Sequence, residues 1–294
     1  MLPLVLSLAV VAPAQPAGHE AENPLYKSLL DPGLTVGPDL RVKFPPPVMP
    51  DGLDAAKQKA VVEKLIGNDF GSDGYLEFTR KSVVAPNLLR IGDAKPSDPA
   101  APTRTADIYF VAYGDFKATE DDKFLDRLVG TGKGDGKGKT LTRDELAKRK
   151  IDLKPGDEKR EGYGQVEFDF LEKVRLKLTG HATWSRGAES VVAAAEVDAR
   201  FRGDADFPNE WRSLSKAGGQ AMPGDPQPYG GAGMYLKITK MAEPAGALFI
   251  EQHIVFAEPV GWFDGANLLR SKLPAATQIN VRNMRKEWVK TIEK

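Results

Sequence analysis

Between Val174 and Phe201 apolar and polar residues alternate through two consecutive runs, which is the period of half-buried β-strands. In the first run Val174, Leu176, Leu178, Gly180, Ala182 and Trp184 alternate with Arg175, Lys177, Thr179, His181 and Thr183. In the second, Val191, Ala193, Ala195, Val197, Ala199 and Phe201 alternate with Ala194, Glu196, Asp198 and Arg200. Arg186 to Glu189 supply the turn. Pairing Ser185 with Ser190 puts both apolar sets on one face and sets Lys177 opposite Asp198, so the spacing predicts a long antiparallel hairpin. Gly180, Ala193 and Ala195 contribute little volume to that face, which leaves room for a helix or a ligand against it.

A second hairpin is expected from Met234–Met241 and Ala247–Ala257, with Lys237 opposite Glu251 and Ile238 opposite Ile250. Asp264 can cap a short helix. Pro274 fits the first turn of a terminal helix in which Val281, Met284, Trp288 and Ile292 recur at three-to-four spacing. Arg282, Arg285, Lys286 and Lys290 form its opposite face, read as solvated. Upstream, helices are expected over Asp54–Ile66, closed by Gly67, over Thr119–Val129 with Thr119 as N-cap, and over Thr142–Arg149. Tyr75–Thr79, Val83–Ile91 and Ala106–Tyr113 read as strands. Flexible loops are placed near 92–104, 130–140 and 202–232. The segment Gly130–Thr140 fits neither a phosphate loop nor a calcium loop in its spacing and reads as a Gly/Lys linker. The expected class is therefore α+β, a curved antiparallel β-sheet packed against a long C-terminal α-helix, in a single domain over 53–294.

The N-terminus points to export. Leu2–Ala12 has the length of a signal-peptide apolar region, and Ala12-Pro13-Ala14 gives the small-x-small pattern of a cleavage site, although Met1 is the whole of the preceding region. A signal peptide over 1–14 is expected, with cleavage after Ala14. The run is too short to cross a bilayer, which takes about 20 apolar residues. Residues 15–52 follow as an extended Pro-rich arm, with one helical turn near Leu25–Leu30. The mature chain is expected in the periplasm, the cell envelope or the extracellular space, with no integral membrane segment.

Composition narrows the chemistry. With 41 Lys plus Arg against 41 Asp plus Glu there is no basic excess for nucleic acid. No cysteine is present, which removes thiolate catalysis, Cys-ligated metals and disulfides. There is no Gly-x-Ser-x-Gly, His-Glu-x-x-His or strand-following Gly-x-Gly-x-x-Gly motif. No catalytic residue and no cofactor is assigned. Of the three histidines, His19 falls in the arm. Glu251 and His253 share one side of a strand and, with His181, are the weak metal or acid/base candidates; ordinary surface or hydrogen-bonded roles are the alternative.

The order of two strands, the turn Pro259-Val260-Gly261-Trp262, the leucine-rich Asn267-Leu268-Leu269 and a helix opening at Lys272-Leu273-Pro274 and continuing through Arg285-Lys286 resembles the last part of START-type lipid-transfer domains and the wider helix-grip (SRPBCC-like) superfamily. Phe263-Asp264 stands where that family commonly carries a second proline. The resemblance covers about a fifth of the chain. It implies a sheet gripping the terminal helix, with an apolar cavity between them for a lipid or other hydrophobic molecule, and no catalytic residues. Trp184, Phe249, Phe256, Trp262, Met284 and Trp288 are the candidates to line such a cavity, with plain core packing as their alternative role. The expected function is noncovalent binding of a small apolar ligand by an exported soluble protein. A structural or interaction protein of the cell envelope without a ligand is the alternative, and an exported enzyme the third.

Overall fold

A computed structural model describes residues 18–37, 40–94, 102–129, 137–153, 160–217, 220–262 and 268–292. The expected signal segment with Ala14, most of the loops near 92–104 and 130–140, and the short helix expected at Asp264 lie outside the described residues. The architecture is α+β, a large antiparallel sheet with a long C-terminal helix, as the hairpins and terminal periodicity predict.

The two hairpins form the middle of the sheet. β7 (Val174–Arg186) pairs with β8 (Ser190–Val197), and β12 (Ala232–Lys240) pairs with β13 (Ala247–Ala257). In the second hairpin Lys237 faces Glu251 and Ile238 faces Ile250, as expected. In the first the register differs by two residues: Ser185 faces Val192, and Gly187–Ser190 make a four-residue loop closed by the Gly187 amide donating to the Ser190 carbonyl at 2.9 Å. A two-residue slip keeps each side chain on its face. It moves Lys177 away from Asp198, so that its strand partners are Glu167 and Glu210 instead.

β8 joins β12, and β13 joins β4 (Thr103–Tyr113), which carries β3 (Leu88–Asp93) at its edge. β7 has β6 (Glu161–Phe170) along one edge, while β9 (Glu210–Ala217) and β8 divide the other. β5 (Lys137–Thr140) extends β6, and β10 (Gln220–Pro223) and β11 (Gln227–Pro228) flank β9, so much of the expected 202–232 loop is strand.

The sheet is strongly curled. β6 and β13 are four strand positions apart, which in a flat sheet is about 19 Å. Phe170 on β6 and Phe256 on β13 nonetheless have ring centroids 5.9 Å apart. The β6–β7–β9 wing therefore folds over the face on which α6 (Leu268–Val289) lies, and that face is concave. The helix begins six residues before Pro274, which sits inside it rather than in its first turn.

The convex face is covered as well, by the N-terminal segment. α1 (Pro24–Leu30), capped by the Asn23 side chain, is followed by a small β1–β2 hairpin (Leu34–Val36 and Leu40–Val42). α2 (Ala55–Ile66), capped by Asp54 and closed at Gly67 with φ +52, and α3 (Gly74–Phe78) complete the cover. The aromatic run read as a strand at Tyr75–Thr79 thus forms a helical turn, with Phe78 buried beside Val62 and Ile66. The Pro-rich segment is not free of the domain: Leu25, Leu29, Leu34 and Phe44 pack on Val192, Ala194 and Tyr235. Burial on both faces explains the apolar run Ile108–Tyr113 of β4 and the apolar stretches on either side of Glu251–His253 in β13, because a strand covered twice loses its alternation.

Around the α4 region (Asp122–Val129), Thr119 is not the N-cap; it ends a 3-10 turn over Phe116–Glu120, and its hydroxyl donates to the Phe116 carbonyl at 2.7 Å. The helix expected over Thr142–Arg149 is α5 (Arg143–Ala147), capped by Thr142 in a reciprocal pair with Glu145.

Arg285 leaves the solvated face on which the periodicity put it. It is 2% exposed, and its guanidinium donates to the backbone carbonyls of Val111 at 2.8 Å and Pro86 at 2.9 Å, with Ala85 as a further acceptor. Burial, with Arg80 nearby, lowers it to about 10. It fastens α6 to β4 and to the 83–86 segment. Removing it strands several carbonyls in the interior, each at about 1–3 kcal/mol. Arg285→Ala is expected to lower the unfolding free energy by about 3–5 kcal/mol, while exposed Lys286→Ala stays within about 0.5 kcal/mol; equal midpoints in urea would contradict this role.

Candidate functional site

The concave face is largely apolar but unevenly covered. α6 lies over β4 and β3. There Val281 and Trp288 meet Phe110, Leu248 and Ile250, and the Trp288 ring packs against Gly114, where an added Cβ would come 2.6 Å from it. At the Val191 end, α4 and the turn before it close the face with Phe116, Phe124, Leu125 and Leu128, and Phe124 stands edge-to-face with Trp288 at 4.8 Å. At the opposite end the curled wing closes it with Trp211, Tyr229, Phe256 and Trp262, the last stacked on Tyr229 at 5.6 Å.

Between these covers the floor is only half-buried. Ala182, Ala195, Met234, Gln252 and Ile254 come from four adjoining strands, and none is sealed. Trp184 and Met284 are likewise half-buried at its rim. A Cβ built on Gly162, which pairs with Ala182, would meet no atom within 4 Å. This is a shallow groove lined by small and flexible side chains that are apolar except for Gln252, a surface against which an apolar molecule can lose contact with water.

The sequence-predicted residues divide accordingly. Trp184, Met284 and Trp288 belong to the helix end of the concave face, and Phe256 and Trp262 to its wing end. Phe249 does not join them. Its strand position points it to the convex face, where it packs under the N-terminal segment beside Met49, Val62 and Tyr109.

The convex face holds a cluster of charges, of which Lys237, Glu251, Glu20 and His253 are buried. Lys237 is fully enclosed, and its Nζ donates to Glu20 at 2.5 Å and lies 2.9 Å from Asp51. Glu251, also enclosed, accepts from the backbone amides of Val48 and Met49 at 2.8 and 3.3 Å. His253 bridges Asp107 at 2.7 Å and Glu251 at 3.4 Å. His19, set aside in the sequence reading as part of the arm, sits between Ser185 at 3.1 Å and Ser190 at 2.8 Å, while Ser190 donates to Asp51 at 2.8 Å. Burial works against a charge on Asp51, but His19, Lys237 and Ser190 outweigh it and hold the carboxyl well below its usual range. The His19, Glu20 and Asp51 ligand atoms lie within 4.8 Å of one another. The Lys237 ammonium already bridges the two carboxylates, so their negative charge is answered from within the chain.

The weak candidates His181, Glu251 and His253 are not brought together. β8 and β12 lie between His181 and the other two, a span of about 14 Å at three strand spacings. His181 pairs with Glu161 at 2.7 Å and stacks on Tyr163 at 4.6 Å; burial lowers its pKa despite that carboxylate. What the sequence reading missed is the partner set of Lys237 and Glu251: Glu20, Asp51 and two backbone amides lie about two hundred residues away along the chain. The one available signal was a Lys and a Glu facing each other inside otherwise apolar strands.

For His253 burial opposes the charge, but the hydrogen bonds and proximity of Asp107 and Glu251 prevail and raise its pKa. Its charged form therefore adds stability in full below the ordinary imidazole value of about 6.5, and that contribution is lost as pH rises through the higher folded value. The melting-temperature difference between wild type and His253→Gln is expected to be largest near pH 6 and to shrink by pH 9; a flat difference would exclude a charged imidazole. Lys237→Met leaves two carboxylates without their cation and is expected to cost about 3–5 kcal/mol. Amide exchange should accelerate first in residues 18–53, and uniform acceleration would contradict that placement.

No family model matches the chain, and neither does any curated protein. Among solved structures it is similar to the human StarD13 (DLC2) lipid transfer and protein localization domain, with TM-score 0.38 and 9% identity over 68% of this chain and 89% of that one. A putative uncharacterized protein from Rhizobium leguminosarum gives TM-score 0.32 and 10% identity over 65% and 98% of the two chains. CalU16 from Micromonospora echinospora gives 0.22 and 11% over 71% and 99%. What the groove does has to be read from its own residues. No helix among the described residues is long and apolar enough to cross a membrane.

Proposed function

We propose that this is an exported protein that binds a lipid or other small apolar molecule noncovalently in the concave groove, without catalysing a reaction. The observation that carries the reading is the half-buried floor of Ala182, Ala195, Met234 and Ile254 between three closed ends. A closed core would have sealed these positions with larger side chains at native packing density. A bound chain of about 12 methylenes gains about 0.8 kcal/mol for each one buried, roughly 10 kcal/mol in all. That gain is of the same order as the association cost of about 4–15 kcal/mol, so an alkyl chain of this length suffices for binding only with little more than its own burial. Export is supported by the apolar Leu2–Ala12 run and the Ala12-Pro13-Ala14 pattern.

Native mass spectrometry of protein expressed with its leader and purified without detergent tests both parts. The expected result is a released lipid-like mass on a chain beginning at Gln15. Ala195→Phe, which fills the floor, is expected to lower ligand occupancy at least tenfold with the fold retained by circular dichroism. A clean ligand-free mass, together with no uptake from added lipid, would overturn the binding reading.

A further inference from the structure

The groove floor contains one polar side chain that the protein itself leaves nearly unused. Gln252 lies on the concave side of β13, paired across the strands with Leu236 and Ile108 and flanked along its own strand by Ile250 and Ile254. Leu236, Ile108 and Ile250 are all buried, so the amide stands in an apolar field. Its single hydrogen bond is from Nε2 to the thioether sulfur of Met234 at 3.8 Å, and sulfur is a weak acceptor. Among the described residues no partner is found for the amide oxygen or the second N–H, and the side chain is only half-buried. A ligand that displaces water from this stretch makes the amide costly unless that ligand answers it.

The charge at the wing end of the same face limits what that something is. Arg104, opposite Phe256, is bound by both Asp93 and Glu258. Two carboxylates against one guanidinium leave this trio with a formal charge of −1. It offers nothing to a carboxylate or phosphate head and repels both. Gln252, by contrast, matches an uncharged group: its amide can donate to a carbonyl or accept from a hydroxyl.

Resting on the ligand-binding reading above, we infer that Gln252 is the polar anchor of the groove, and that the ligand is an apolar molecule with one uncharged hydroxyl or carbonyl rather than a fatty acid or phospholipid. The anchor acts by hydrogen bonding alone, and its discrimination comes from the unanswered amide: a ligand without a matching group leaves it desolvated and unpaired.

The test is displacement of the neutral fluorophore N-phenyl-1-naphthylamine from the mature protein by 1-hexadecanol and by hexadecanoate, at pH 8 where the acid is ionised. In wild type, hexadecanol is expected to compete at a concentration at least tenfold lower than hexadecanoate. Gln252→Leu and the closer isostere Gln252→Met are expected to keep the fluorophore and lose about tenfold in hexadecanol affinity, the size of one hydrogen bond. Retention of the hexadecanol preference in both variants would overturn the anchor while leaving apolar binding intact. Preference of the wild type for hexadecanoate would overturn the inferred ligand class. No uptake of the fluorophore by wild type would overturn the binding reading and the anchor with it.

Discussion

An ammonium group that reaches no water must be neutralised where it stands, and Lys237 is such a group at the centre of the sheet. Its position on β12 is set by the hairpin register, yet both of its carboxylate partners come from the N-terminal segment. Glu251, directly across from it, is answered by the backbone amides of Val48 and Met49. The sheet and the segment that covers it are therefore one electrostatic unit: without the segment the sheet exposes a charged stripe and an apolar face, and without the sheet the segment has little core of its own.

This arrangement separates two tasks onto two faces. On the convex side, ion pairs, hydrogen bonds and the aromatic contacts of Tyr26, Phe44 and Tyr235 hold the cover in one arrangement, although the buried hydroxyls of Tyr26 and Thr239 have no partner among the described residues. The concave side is left soft at its middle, where alanine, glycine and methionine replace the large residues that seal its ends. Methionine suits such a surface because its unbranched side chain adapts to varied shapes. Rigidity behind the sheet allows looseness in front of it.

What was legible in the sequence follows the range of the physics involved. Period-two alternation predicts β7 and β8, and the apolar stripe closed by Gly67 predicts α2; the second hairpin was readable with its Lys237–Glu251 register, whereas the first was off by two residues because its loop sits one residue later than expected. β6 carried the same alternation at Val166, Phe168 and Phe170, although its neighbouring glycines blur it. Arg285 and the charged stripe were opaque for a different cause. Their partners are backbone carbonyls or residues from the far end of the chain, and no periodicity encodes a contact of that separation. The candidate site was legible only in small part: of the small residues Gly180, Ala193 and Ala195, Ala195 lies in the groove floor while Ala193 is buried, and Gln252 became visible as a site residue only once its neighbours on three strands were in place.

The docking of the N-terminal segment also dictates when folding can finish. Glu20 meets Lys237 across 217 residues of chain, and Val48 meets Glu251 across 203. A polypeptide emerging N-terminus first presents the cover before the surface it covers exists. The β7–β8 hairpin can receive His19, Asn23 and α1, but until β12 and β13 have both appeared Glu20 lacks Lys237 and the segment around Val48 and Met49 lacks Glu251, so the cover cannot finish docking. A protein assembled in this order completes itself by its last quarter reaching back to its first.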